Sequence, residues 1–149
     1  MTKRDTIGVT GEPDLTLTLP VQWGDMDALG HVNNTCYLRW FESARIALFR
    51  RLGLGTVTRA VGVGPILATQ TCDYLRPVTF PADVVVGVRT SRVGTTSIAM
   101  EYVVSVAGDP GTPCARGSSV VVLIDYATGE KVPVPADLRA LLVSPQARS

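Results

Sequence analysis

Residues 21–45 read Val-Gln-Trp-Gly-Asp-Met-Asp-Ala-Leu-Gly-His-Val-Asn-Asn-Thr-Cys-Tyr-Leu-Arg-Trp-Phe-Glu-Ser-Ala-Arg. Asp25, Asp27, Asn33, Asn34 and the only histidine of the chain, His31, fall within ten consecutive residues of it. Its second half opens a run of helical period. Tyr37, Phe41, Ala44, Leu48 and Leu52 recur at three- and four-residue steps and form one apolar stripe, with Trp40 on its flank and Arg39, Ser43 and Arg50 opposite. Asn33 or Asn34 suits the N-cap, and Gly53 and Gly55 suit the end. The spacing therefore predicts one long helix over 34–52, entered through a polar loop. Groups at such a junction can be aimed at a ligand held by the helix N-terminus.

Outward from this stretch the period is two. Leu15-Thr16-Leu17-Thr18-Leu19 alternates strictly and reads as a half-buried strand, and Pro20 places it at a sheet edge or a bulge. After the helix come four β-rich runs, Ile66 to Leu75, Asp83 to Arg92, Thr96 to Val106 and Arg116 to Tyr126. Pro77 and Pro81, the turn around Gly94, and the loop from Gly108 to Pro113 separate them. Val84, Val86 and Val88 share a face of one strand, as do Ile98, Met100, Tyr102 and Val104 of the next. Pro133 and Pro135 precede a short amphipathic segment, Ala136 to Leu142. One strand, one long helix and four further strands predict an α+β chain, an antiparallel sheet packed on a single helix. We read residues 1–149 as one domain, with flexible tails at 1–13 and 144–149.

Composition narrows the function classes. The net charge is +1 with Lys and Arg scattered, so no basic stripe marks a nucleic-acid partner. Cys36, Cys72 and Cys114 show no C-x-x-C pattern and only one histidine is present, which argues against a zinc or other metal site. No stretch approaches the roughly 18 apolar residues of a membrane helix, and no signal-type segment follows the charged N-terminus. A cytoplasmic protein with free thiols is expected.

The run from Trp23 through Asp25, Asp27, Gly30-His31-Val32-Asn33-Asn34, Tyr37-Leu38, Trp40 and Glu42 resembles the signature of the hotdog-fold thioesterases of the 4-hydroxybenzoyl-CoA thioesterase type. Asp73-Tyr74-Leu75-Arg76-Pro77 followed by Asp83-Val84-Val85-Val86 is similar to a second segment of that family, and Ala127 to Lys131 to its closing hairpin. The resemblance covers residues 15–142. It implies a sheet of about five strands wrapped around one central helix, and hydrolysis of an acyl-CoA thioester without metal or redox cofactor. Taken bare, an Asp before Ala-Leu-Gly suits a turn-former bonding its own backbone. The resemblance makes Asp27 the catalytic carboxylate, as nucleophile or as general base for water.

By register with the family, the Asn34 N–H at the helix N-terminus is the donor to the thioester oxygen, with Thr35 beside it. His31 either contacts the acyl carbonyl or water, or braces the loop. Asp25 and the asparagine side chains read as turn and cap groups. Glu42 is the alternative catalytic carboxylate, against a reading as a partner of Arg39 or Arg45 on the helix surface. Arg92 and Arg116 are the candidate contacts for CoA phosphates, against a reading as scattered surface arginines. Competing readings are an acyl-carrier-protein thioesterase and a non-catalytic acyl-binding module. The family also implies a homodimer or homotetramer joined through sheet edges, with pockets between subunits.

Overall fold

The structure, a computed structural model, describes residues 11–54 and 62–143. The long helix, α1, runs Asn34–Arg51. Asn33 stands outside it in an extended conformation, and its side-chain oxygen accepts the Thr35 N–H, so it is the N-cap. At the other end Gly53 takes φ +84°, a left-handed turn that lets Gly53 and Leu54 N–H groups bond back to Arg50 and Phe49 carbonyls. Arg50 and Arg51 occupy the last turn, where cations suit the helix dipole.

Five strands form one antiparallel sheet in the order β1-β3-β4-β5-β2, with β1 Leu15–Pro20, β2 Val63–Tyr74, β3 Asp83–Val93, β4 Ser97–Val106 and β5 Ala115–Asp125. A second helix, α2, covers Ala136–Val143 and buries Leu138 and Leu142, while the Arg139 guanidinium donates to the Val93 and Gly94 carbonyls. The architecture is the α+β hotdog arrangement expected. Pro20 closes β1 opposite Asp83 at a sheet edge, as its missing N–H allows. β2 begins three residues before the sequence reading placed it. Gly64 and Pro65 look like turn signals, but β2 is the other edge strand, where a proline is tolerated. Most of the tail residues, 1–10 and 144–149, and Gly55 lie outside the described residues.

One face of the sheet and the stripe of α1 make the core. Tyr37, Trp40, Phe41, Ala44 and Leu48 pack with Val84, Val86, Val88, Ile98, Met100, Tyr102 and Val104, all nearly inaccessible to solvent. The Phe41 ring stacks on Tyr102 at 4.5 Å between centroids. Both sit over Gly117 of β5, where any Cβ would run into the Phe41 ring and the Thr71 carbonyl. A glycine there lets the helix approach the sheet. The Tyr102 hydroxyl lies 2.6 Å from Ser119 Oγ and accepts from Arg45 Nη1 at 3.1 Å, so the buried polar groups beneath the helix satisfy one another.

Candidate active site

The loop between β1 and α1 is built on two carboxylates with different surroundings. Asp25 ends a short 3-10 turn, Trp23–Asp25, and is buried. One of its oxygens accepts the Gln22 N–H at 2.8 Å; the other accepts Arg39 Nη2 at 2.6 Å, tying the turn to α1. Its carbonyl accepts the Asn33 N–H, which fixes the entry to the helix. Asp25 has no free face for chemistry and holds the loop.

Asp27 follows two residues later on the opposite side of the extended chain. Its Oδ1 accepts the Leu29 N–H at 2.9 Å, the local turn bond that its sequence context suggests, and its Oδ2 accepts Asn33 Nδ2 at 3.3 Å. The Asp27 N–H donates to the His31 carbonyl, and Gly30 closes the turn with φ +83°. A side chain at position 30 would strain this turn. Val32, buried, then donates to the Val78 carbonyl and pins the loop against the segment after β2.

The Asn34 N–H is the first amide of α1 and has no intrahelical partner by construction. Beside it, Thr35 has both its N–H and its hydroxyl bonded to Asn33 Oδ1, at 2.9 and 2.7 Å. Thr35 is thus committed to the cap, and its amide is not available as the second substrate donor that the sequence suggested. A cavity of about 310 Å³ opens on this helix end, lined in part by His31, Asn34, Tyr37, Tyr74 and Arg76. The Tyr74 hydroxyl donates to the Asn34 carbonyl at 2.8 Å, locking the first turn to the end of β2. The Leu75 and Arg76 N–H groups both donate to the Cys114 carbonyl, so that rim is anchored too.

His31 and Asn34 therefore meet at one cavity, and Asp27 stands one turn behind it, linked through the His31 carbonyl and Asn33. Glu42 does not join them. Its carboxylate is exposed on the flank of α1, 4.0 Å from Arg45 Nη2. Arg45 itself is buried and donates to Gln70 and Tyr102. Nor do the two phosphate candidates reach the site within one chain. Arg92 lies nine residues along β3 from Asp83, roughly 30 Å at a strand's rise. Arg116 alternates with the inward residues of β5 and lines a groove on the sheet face turned away from α1.

Tyr74 and Arg76 went unassigned in the sequence, although both fall within the Asp73 to Pro77 segment that carries the family resemblance. Among the described residues no group of three or more His, Cys, Asp or Glu side chains is placed to hold a metal. Burial, with the Asp25 carboxylate adding to it, pushes the Cys36 thiol above its ordinary range. A protonated thiol there is a poor nucleophile.

Two outcomes follow from this wiring. Asn33→Ala removes the cap and should destabilise the fold by about 0.5–2 kcal/mol in denaturant titration, whereas Asn33→Ser keeps a cap acceptor without setting a second carboxylate against Asp27 and should recover much of that loss. Burial also pushes the phenols of Tyr37 and Tyr74 up from 10 to about 12. In the unfolded chain they ionise first, so it binds fewer protons between these values, and stability falls as pH rises through that window. Tyr37→Phe should flatten the slope of unfolding midpoint against pH above about 10.

Comparison with known proteins places the chain in a family. The model of the thioesterase-like superfamily matches residues 21–142, and the chain belongs to that superfamily. It is a thioester hydrolase. The PA2801 protein of Pseudomonas aeruginosa is 38% identical, superimposes with a TM-score of 0.78, and the match covers 84% of this chain and 95% of that one. A thioesterase of Thermus thermophilus, solved with coenzyme A and zinc, is 32% identical with a TM-score of 0.74 over 87% of this chain and 92% of that one. The YsmA protein of Bacillus subtilis is 32% identical over 114 residues, 75% of this chain and 74% of its own. No helix among the described residues is long and apolar enough to cross a membrane.

Proposed function

We propose that the protein hydrolyses an acyl-CoA thioester to the free carboxylic acid and CoA. The observation that carries this reading is the Asn34 N–H, the first amide at the positive end of α1, at a cavity that Asn34 lines with His31 and behind which Asp27 is tied to the helix cap through Asn33. The thioester carbonyl oxygen accepts from this amide, which stabilises the negative charge that develops on it. Asp27 then acts in one of two ways. As general base it takes a proton from water, whose oxygen bonds to the carbonyl carbon as the C–S bond breaks and the thiolate leaves. As nucleophile its oxygen bonds to the carbonyl carbon and the C–S bond breaks to release the thiolate, leaving a mixed anhydride that water hydrolyses to the free acid and the Asp27 carboxylate. The exposed Asp27 turn bond to Leu29 is compatible with either. His31 contacts the carbonyl or the water from the cavity wall.

CoA as the carrier is supported by the Thermus relative, whose structure contains it. We also propose that the working unit is a homo-oligomer in which β2 pairs with β2 of a second chain. Its outer edge is unpaired in one chain, and Ile66, Leu67, Tyr74 and Leu75 are each 42–50% exposed there. A second chain at that edge closes the open side of the cavity. The unpaired thiols of Cys36, Cys72 and Cys114 suit a reducing compartment, the cytoplasm.

The test is release of free thiol from acyl groups of graded chain length and from aromatic acyl groups, each on CoA and on acyl carrier protein. Turnover of CoA esters is the expected result. Turnover confined to the protein carrier would move the substrate class, and no release from any substrate would overturn the hydrolytic reading in favour of an acyl-binding module.

A further inference from the structure

The cavity at the start of α1 is lined by an arginine and by no carboxylate. Its titratable side chains are His31, Tyr37, Tyr74 and Arg76. The two phenols stay neutral, since burial pushes their ionisation up to about 12, and the Tyr74 hydroxyl is engaged by the Asn34 carbonyl. Asp27 stands behind the cavity with its two oxygens held by the Leu29 N–H and Asn33 Nδ2. Arg76 therefore shares the cavity with the positive end of α1, and no anionic side chain lines it to balance them.

The backbone makes that cation a fixed feature of the rim. The Leu75 and Arg76 N–H groups both donate to the Cys114 carbonyl, at 2.8 and 3.1 Å, and Pro77 follows with its φ locked. Two residues earlier, Tyr74 is tied to the first turn of α1. Arg76 thus rises from a segment held both to the start of β5 and to the helix that carries the Asn34 amide. Among the described residues its guanidinium has no ion pair.

We infer that Arg76 selects acyl groups that carry a carboxylate of their own, so that the substrates are CoA monothioesters of short dicarboxylic acids. This rests on the acyl-CoA reading given above. With the thioester carbonyl on the Asn34 amide, the acyl tail lies in the same cavity. Its volume of about 310 Å³ is at the small end of the roughly 300–1,000 Å³ that ligand pockets occupy, which suits a short tail. A tail of a few methylenes ends within reach of Arg76, whose planar fork takes a carboxylate through two parallel hydrogen bonds. The CoA phosphates fit this cation less well, because the pantetheine arm between them and the sulfur is longer than the cavity is wide. An uncharged acyl group would leave the guanidinium without a partner.

Glutaryl-CoA and pentanoyl-CoA differ by a carboxylate in place of a methyl group, and their rates of thiol release test the inference. The wild type is expected to favour glutaryl-CoA by about tenfold or more in kcat/KM, the scale of one hydrogen bond to a charged group. Arg76→Gln is expected to erase that preference, Arg76→Glu to reverse it and Arg76→Lys to keep part of it. Far-UV circular dichroism should stay that of the wild type in all three, because the side chain is exposed. A wild type that does not favour glutaryl-CoA would overturn the inference. So would an equal loss on both thioesters in Arg76→Gln, which would assign the arginine to the carrier. Calorimetric binding of the non-hydrolysable thioethers of the same two chains separates this inference from the catalytic reading. Tighter binding of the carboxylated thioether, lost in Arg76→Gln, would uphold the role of Arg76 even if no thioester released thiol, and the fault would then lie with CoA-ester hydrolysis. Thiol release from both thioesters with no such binding preference would sink the Arg76 inference alone.

Discussion

Asp27→Asn is expected to slow thiol release by at least about 10²-fold, the range lost when a positioned acid–base group is removed. The variant is close to isosteric, and an asparagine at 27 still offers an oxygen to the Leu29 N–H, so the turn that carries it survives. Circular dichroism should therefore match the wild type, with the unfolding midpoint only slightly lowered by loss of the bond from Asn33 Nδ2. The loss should appear in kcat, since the missing group acts on the reacting water or carbonyl rather than on ground-state binding. A variant that turns over normally would remove Asp27 from the chemistry and direct attention to Glu42, whose carboxylate is exposed on α1. Glu42→Gln in the same assay is then the deciding comparison.

Phe41→Ala is expected to produce the largest loss of stability, about 3–5 kcal/mol. The ring is fully buried, stacks on Tyr102 and fills the space above Gly117. Its removal leaves a cavity beneath α1 that the sheet cannot collapse into, because the strands on either side are held in register. Gly117→Ala should be destabilising for the opposite reason, since its Cβ meets the ring and the Thr71 carbonyl, with overpacking of this kind costing about 1–3 kcal/mol. The two changes are not independent. In the double variant the new methyl occupies space the ring has left, so the combined loss measured by denaturant titration should be smaller than the sum of the single losses.

Most of this architecture is legible in the sequence because it is periodic. The stripe from Tyr37 to Leu48 gives the helix and its buried face, and the alternating residues of β3 and β4 give the sheet surface that receives it. What escapes the sequence is what depends on distant residues. Arg45 reads as half of a surface pair with Glu42, yet it is buried, because its partners Gln70 and Tyr102 lie 25 and 57 residues away. Tyr74 reads as a strand residue, and only the fold carries its hydroxyl to the Asn34 carbonyl 40 residues earlier. In the site, Asp25 as a structural carboxylate and Asn33 as the cap follow from local patterns. The commitment of Thr35 to that cap does not, since cap and oxyanion donor call on neighbouring amides with the same sequence signal. Within one chain, Arg92 and Arg116 stay away from the cavity for a geometric reason. Strand length carries one away from it, and alternation turns the other to the far face.

One side chain joins two tasks at the entry to α1. The Asn33 amide oxygen holds the first turn of α1 through Thr35, while its nitrogen holds the Asp27 carboxylate. A helix whose first turn frays therefore releases the carboxylate at the same moment as it disperses the amide at position 34. If Asp27 and the Asn34 amide act as proposed, thiol release is expected to fall on heating before far-UV circular dichroism changes, because loosening this one turn disturbs both groups while the sheet and the rest of the helix stay intact.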